Sequence, residues 1–175
     1  MLLLPMRLLT IFRILTFILI PIAAFFGFLD MLVLLSALAN PALLLIAFIL
    51  GCLVIYTFVS MRFLTKGIDM GRHVKPSLKD WIRVNAFVSI FTGTMFLLNS
   101  VSIFFTSDTK LKELVTQLLE SQPNVPSMLN AALFLQIMKI VAWCMFFVSL
   151  ALLSHIFLNF RLMKQYRHLF EAPEN

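Results

Sequence analysis

The sequence predicts an all-α integral membrane protein, an antiparallel four-helix transmembrane bundle with both termini in the cytoplasm. The composition is 61% hydrophobic and 13% charged, with a mean hydropathy of +0.99, whereas soluble domains are roughly half apolar and about a quarter charged. The 175 residues hold about four spans of ~20 residues and leave no room for a separate soluble domain. A basic, water-soluble stretch at residues 62–83 divides the apolar chain.

That basic stretch sets the predicted orientation in the membrane. Its Lys and Arg residues outnumber Asp69 and Asp80, and short loops rich in Lys and Arg stay on the cytoplasmic side. We therefore predict a cytoplasmic loop over residues 62–83, whose basic side chains contact the headgroups of anionic lipids. These side chains are Arg62, Lys66, Arg72, Lys75, Lys79 and Arg83.

The first span is predicted at residues 8–38. Arg7 and Arg13 precede or begin its apolar run and place its start on the cytoplasmic side. Asn40 followed by Pro predicts the outer turn, since Asn caps a helix start and Pro suits the first helical position. An alternative turn at residues 27–30 shortens this span.

The second span is predicted at residues 41–63 and the third at residues 81–105. Between them, Gly67 and Gly71 are expected to break helical order, and Pro76 marks a turn before the next helix. The third span is richer in Ser, Thr and Asn than its neighbours. Such a helix prefers protein neighbours to lipid.

The second outer loop is predicted to contain an amphipathic helix at residues 108–121, because apolar residues recur there at i, i+3, i+4, i+7 and i+8. In one interpretation this helix lies on the outer bilayer surface or covers the end of the bundle. In the other, its apolar face docks a partner subunit. The face consists of Leu111, Leu114, Val115, Leu118 and Leu119.

The last span is predicted at residues 128–160, with Ser127 as its N-cap. It continues into an amphipathic tail. The basic residues of that tail again mark the cytoplasmic side. They are Arg161, Lys164 and Arg167.

Pairs of polar residues at i, i+4 spacing occupy the cytoplasmic halves of three spans, and this spacing places each pair on one helix face. In a structural interpretation they hydrogen-bond between helices, at about 0.6 kcal/mol each in membranes. In a functional one they line a polar pocket for a lipid headgroup, a quinone head or a small solute. The pairs are Tyr56 and Ser60, Asn85 and Ser89, and His155 and Asn159.

Asp30 and Lys139 form a candidate charge pair, because charges within membrane spans are costly and tend to pair. The pair would join the first transmembrane span to the fourth span, or it would titrate during transport. The alternative places Lys139 at the outer headgroups through its long side chain and Asp30 at a helix end.

No catalytic motif is visible in the sequence. His155 lacks a second imidazole at matching depth for haem and lacks neighbouring metal ligands at the required spacing. Cys52 and Cys144 fall inside predicted spans and form no disulfide framework. The cofactor is therefore unknown, and none is expected.

The function that these features favour is that of a non-catalytic accessory or structural subunit packing against a larger membrane complex. A small oligomeric transporter or channel is the alternative, and an embedded redox or lipid-modifying enzyme is the second alternative. The expected partners are the lipid bilayer and other membrane subunits or further copies of the chain, with no nucleic acid. The expected location is the bacterial inner (plasma) membrane.

Overall fold

The computed structural model describes residues 3–121 and 131–171, and it describes side chains from residue 7 onward. These residues form helices and short connections, with no strand among them. Four of the helices are long and apolar enough to cross a membrane, which confirms a multi-pass, all-helical membrane protein. The main helices are α1 (Leu3–Ala37), α2 (Leu44–Arg62), α3 (Pro76–Phe105), α4 (Asp108–Glu120) and α5 (Ala131–Gln165).

The first turn lies at Asn40, where the sequence places it. The Asn40 backbone is extended, its side-chain oxygen accepts a hydrogen bond from the Ala42 N–H at 3.2 Å, and a single 3₁₀ turn, Pro41–Leu43, follows. Asn at this position satisfies an amide that the helix start leaves unpaired. Because α1 is continuous through residues 27–30, the alternative turn is absent.

The predicted helix break at Gly67 is wrong. From α2 the chain continues into a π-helical segment, Phe63–Asp69, and Gly67 is buried within it. A Cβ at Gly67 would lie 3.2 Å from the Phe63 ring, so glycine here makes room for that ring. The left-handed backbone conformation that favours glycine occurs at Gly71, with φ of +61°.

The predicted basic loop at residues 62–83 is mostly helical. Pro76 begins α3, so α3 starts five residues before the expected position, Trp81. Proline is well tolerated in the first turn of a helix, where its missing N–H has no intrahelical partner to lose. Only residues 70–75 lie outside helices between α2 and α3.

The chain divides into two compact units, and the first contains residues 1–92 and 151–175. Within it, α1 and α2 pack in opposite directions. A Cβ at Gly27 would lie 3.6 Å from Val54, and one at Gly51 would lie 3.4 Å from the Asp30 carboxylate. As the residue number rises in α1, the number of its neighbour in α2 falls, which identifies antiparallel packing.

In the same unit, α2 and α5 run in the same direction. Tyr56 contacts His155, and Ser60, one turn later, contacts Asn159, one turn later in α5. The core that surrounds these contacts is aliphatic and aromatic. Its fully or nearly fully buried members include Phe12, Leu19, Leu53, Phe63, Leu64, Ile82, Ala86, Leu152, Ile156 and Leu162.

The end of the described chain packs back on this unit. The Val74 N–H donates a hydrogen bond to the Leu169 carbonyl at 2.8 Å, and the Phe63 and Phe170 rings stack with centroids 5.2 Å apart. The short connection at residues 70–75 is therefore tied to the tail.

The second unit contains residues 93–150. The Phe104 ring lies against Trp143, with centroids 4.4 Å apart, and contacts Phe146 edge-on. The expected N-cap Ser127 lies outside the described residues, and α5 is described from Ala131.

Candidate functional site

Four of the six polar residues predicted to cluster belong to a network centred on His155, where α1, α2 and α5 meet in the first unit. The Tyr56 hydroxyl lies 2.8 Å from His155 Nδ1, and Thr16 Oγ1 lies 3.0 Å from His155 Nε2. The Phe12 ring stacks on the imidazole, with centroids 4.6 Å apart. Side chains of α1 and α2 thus contact both nitrogens and one face of an imidazole that α5 carries.

The hydrogen bonds around His155 indicate which of its ring nitrogens carries the hydrogen. Thr16 has one hydroxyl hydrogen, which it donates to the Phe12 carbonyl at 2.8 Å, so Thr16 Oγ1 accepts from His155 Nε2–H. His155 Nδ1 then accepts from the Tyr56 hydroxyl. A neutral imidazole with its hydrogen on Nε2 satisfies both ring nitrogens and the hydroxyls of Thr16 and Tyr56, since a neutral ring offers one donor and one acceptor.

The network continues one turn along α2 and α5. The Asn159 amide nitrogen donates to Ser60 Oγ at 2.7 Å and to the Tyr56 hydroxyl oxygen at 3.3 Å. Asn159 Oδ1 is buried without a hydrogen-bond partner among the described residues. The amide therefore stabilises two hydroxyls but leaves its own oxygen unsatisfied, which carries a cost in an apolar surrounding.

The network is closed to solvent and lipid. Thr16, Tyr56, Ser60, His155 and Asn159 each expose 0% of their surface. Apart from Asn159 Oδ1, their polar side-chain atoms are hydrogen-bonded within the chain, and both imidazole nitrogens have a partner. Such interhelical hydrogen bonds contribute about 0.6 kcal/mol each in membranes, so the arrangement specifies how three helices pack.

The structure brings together four of the six predicted cluster residues, Tyr56, Ser60, His155 and Asn159. Asn85 and Ser89 are buried, but the Asn85 amide donates to the Trp81 carbonyl and the Ser89 hydroxyl to the Asn85 carbonyl. Both therefore bond to the backbone of their own helix, a common alternative for short polar side chains within helices.

Sequence reasoning missed Thr16 and Phe12. A usable signal existed, because Tyr56 and His155 each lie six residues before an arginine at the end of an apolar run, and Thr16 lies three residues after Arg13. Counting depth inward from the basic residues of α1 would have placed Thr16 near the same level.

Lys139 pairs with Asp108 rather than with Asp30, contrary to the sequence prediction. The Lys139 ammonium lies 2.7 Å from Asp108 Oδ1, and the two side chains are 41% and 74% exposed, so the ion pair adds little stability. Asp30 faces α2 beside Gly51, and its Oδ1 has no hydrogen-bond partner among the described residues.

The predicted docking face of α4 is divided. Leu111 and Val115 are buried, with 5% and 3% exposure, while Leu114 and Leu118 are exposed at 58% and 48%. Leu119 is half-buried. Part of the face is used within the chain, and an apolar edge formed by Leu114 and Leu118 stays accessible.

The predicted headgroup-binding residues separate into two clefts in the first unit. The first basic cleft, of about 670 Å³, contains Arg62, Lys66, Arg72 and Lys75 in its lining. The second basic cleft, of about 510 Å³, contains Lys79 and Arg83 together with two basic residues near the end of α5. Those two residues are Lys164 and Arg167.

The fold and the network define a multi-pass α-helical membrane protein whose internal polar residues join helices. Comparison of the chain with protein-family models, curated proteins and solved structures finds no match. Among the described residues, no group of three His, Cys, Asp or Glu side chains lies close enough to hold a metal ion.

Proposed function

We propose that this protein is a non-catalytic accessory subunit that packs against a larger membrane complex. The observation that carries the proposal is the closed His155 network. Its side chains are fully buried, and apart from Asn159 Oδ1 their polar atoms are hydrogen-bonded within the chain, as expected of residues that specify helix packing. A pathway or reaction centre instead requires polar groups that a solute can reach.

The exposed surface supports the same proposal. The α4 edge formed by Leu114 and Leu118 lies on a helix that also carries charged residues, and an amphipathic helix with a free apolar edge is suited to a partner groove. In an apolar 18-residue stretch of the first candidate span, 11% of the stretch is buried within the chain. The corresponding share is 28% in the second and fourth candidate spans. Helix surface is therefore available for lipid and for neighbouring subunits.

We propose that both termini and the connection at residues 70–75 face the cytoplasm of a bacterial plasma membrane. Eleven of the 14 Lys and Arg residues lie within residues 7–83 and 161–167, at the start of α1, from the end of α2 to the first turns of α3, and around the end of α5. An excess of Lys and Arg near the ends of spans favours placing those ends on the cytoplasmic side. An α-helical bundle suits the inner membrane, since bacterial outer-membrane proteins are typically β-barrels.

The test of the accessory-subunit proposal is the mass of the intact assembly. The tagged full chain would be purified from native membranes in a mild detergent, and its mass and absorption spectrum would be measured on the same sample. We expect the chain to arrive with stoichiometric partner subunits. Isolation as a monomer or as a homo-oligomer would contradict the proposal.

A pair of matched variants tests the α4 edge. We expect Leu114→Gln with Leu118→Gln to reduce the amount of co-purified partner, because both changes place a polar group on the exposed apolar edge. Lys112→Gln with Glu113→Gln changes two exposed residues of the same helix without changing net charge, and should leave the assembly intact. Equal partner recovery from all three proteins would exclude α4 as the contact.

A further inference from the structure

The first basic cleft concentrates positive charge without a counter-charge. Its cations come from the end of α2 and its π-helical extension (Arg62, Lys66) and from the connection that follows (Arg72, Lys75), and no Asp or Glu lines it. The ion pairs formed within the described part of the chain involve other cations. Four like charges around one concave surface repel each other and attract an anion.

The walls of this cleft are held in place before any ligand binds. Arg13 in α1 contacts Asp69 at 2.6 Å, which fastens the end of the π-helical segment. On the other side, the Val74 N–H bonds to the Leu169 carbonyl at 2.8 Å. A preformed cleft lowers the ordering cost of binding, so its charges are positioned for a ligand of matching size.

One side of the cleft is apolar. Phe58 and Trp81 contribute to its lining and are 44% and 56% exposed. Phe58 belongs to α2, within the second candidate span, and Trp81 lies in the first turns of the third. A tryptophan at this position is typical of headgroup depth. The cleft thus joins a cationic rim to an apolar surface that continues along two candidate spans.

The second basic cleft carries less uncompensated charge. It is smaller, and Arg167 in its lining pairs with Glu171, with Arg167 Nε 3.1 Å from Glu171 Oε1. Glu171 therefore neutralises part of the positive charge of the second basic cleft. The first cleft has the stronger combination of volume, charge and apolar surface.

We propose that the first basic cleft binds the phosphate-bearing headgroup of an anionic phospholipid. Lys and Arg of the rim contact the phosphate, for which the planar arginine side chain offers paired donors. The glycerol and the start of the acyl chains lie along Phe58 and Trp81. This site does not depend on the accessory-subunit proposal, since it requires no protein partner.

The fluorescence of Trp81 provides a direct readout. The chain has two tryptophans, so Trp143→Phe leaves Trp81 as the single reporter inside the cleft lining. The full chain in neutral detergent would be titrated with short-chain phosphatidylglycerol, phosphatidylcholine and inorganic phosphate. We expect a saturable fluorescence change with phosphatidylglycerol at concentrations where the other two produce none.

Matched charge changes locate the site. Arg72→Gln with Lys75→Gln should weaken phosphatidylglycerol binding by about 25-fold, at about fivefold per charge near a lipid surface. Lys110→Gln with Lys112→Gln removes the same charge from α4 and should leave the affinity unchanged. Because Arg72 and Lys75 are exposed, their replacement should preserve the helical content, measured by circular dichroism. If it does not, Lys66→Gln alone, with about a fivefold loss, replaces the double variant.

Three results would overturn the proposal. Inorganic phosphate binding as tightly as the lipid would identify a site for soluble anions. Equal weakening by the α4 control would show that net charge alone attracts the lipid. Unchanged affinity in both cleft variants would place the lipid elsewhere.

Discussion

His155 is an ionisable side chain enclosed on three sides by groups that fit its neutral form. Thr16 accepts from one ring nitrogen, the Tyr56 hydroxyl donates to the other, and Phe12 covers a ring face. Because the imidazole is 0% exposed, its hydrogen bonds cannot be replaced by water without separating the helices. The residue therefore specifies which faces of α1, α2 and α5 meet.

Two buried serines provide a matched test of this network. Ser60 accepts a hydrogen bond from the Asn159 amide in α5, whereas the Ser89 hydroxyl bonds to the Asn85 carbonyl of its own helix. We expect Ser60→Ala to lower the free energy of unfolding by about 1 kcal/mol, since it leaves a buried amide donor poorly satisfied. Ser89→Ala should cost less than about 0.5 kcal/mol, because its bond lies within one helix. Reversible unfolding in mixed detergent micelles measures both, and equal costs would argue against the interhelical role.

Two buried threonines test the tautomer of His155. Thr16 accepts from the ring and also donates to the Phe12 carbonyl, whereas the Thr57 hydroxyl donates to the Leu53 carbonyl of its own helix. Thr16→Val removes the acceptor of the Nε2–H and should cost about 1–2 kcal/mol in the same unfolding experiment. Thr57→Val should be nearly neutral. In ¹⁵N spectra of the wild type, we expect the hydrogen on Nε2, and a ring protonated on Nδ1 would contradict the assignment.

At the scale of elements, the passage from α2 to α3 shows how side-chain packing changes helix ends. Gly67 lies within the π-helical segment, where the missing Cβ leaves space for the Phe63 ring, which in turn stacks on Phe170. Gly71 ends the helical path with a positive φ. The presence of a glycine therefore did not predict where the helical path ends. Gly67 leaves space for a side chain, whereas Gly71 adopts a left-handed backbone conformation.

The role of Gly71 is testable by a substitution that changes only the backbone preference. A Cβ at Gly71 would meet no atom within 4 Å, but its φ of +61° disfavours residues with a Cβ by about 1–2 kcal/mol. We expect Gly71→Ala to lower the free energy of unfolding by about 1 kcal/mol and Gly71→Asn to cost less, because Asn tolerates this conformation. Gly27→Ala, where a Cβ would lie 3.6 Å from Val54, is the control for an ordinary contact. A neutral Gly71→Ala would mean that the connection readily adopts another conformation.

At the scale of the whole molecule, the distribution of charge determines the expected orientation in the membrane. The basic residues gather at the start of α1, from the end of α2 to the first turns of α3, and around the end of α5, whereas Lys110, Lys112 and Lys139 are the remaining three Lys and Arg residues. Lys139 is paired with Asp108. The proposed threading therefore places the connection that contains α4 on the outer side of the membrane.

Cysteine labelling in intact cells tests this threading. In a background of Cys52→Ser and Cys144→Ser, which removes both native thiols, single changes Gln117→Cys and Lys75→Cys would be treated with a membrane-impermeant maleimide. Both positions are exposed, so accessibility depends on the side of the membrane. We expect labelling of the Gln117 variant in intact cells, and of the Lys75 variant only after lysis. The reverse pattern would overturn the orientation.

The sequence by itself determined the membrane class, the four apolar helices and the turn at Asn40, because these follow from local composition, helix length and capping chemistry. Its periodicity also predicted the amphipathic character of α4, and the residue identities predicted four members of the buried network. Only the tertiary structure decided that Thr16 joins that network while Asn85 and Ser89 do not. It likewise paired Lys139 with Asp108 and separated the basic residues into two clefts. The reason is that each of these features depends on which helix faces meet, and residue spacing within one helix leaves the partner face undetermined.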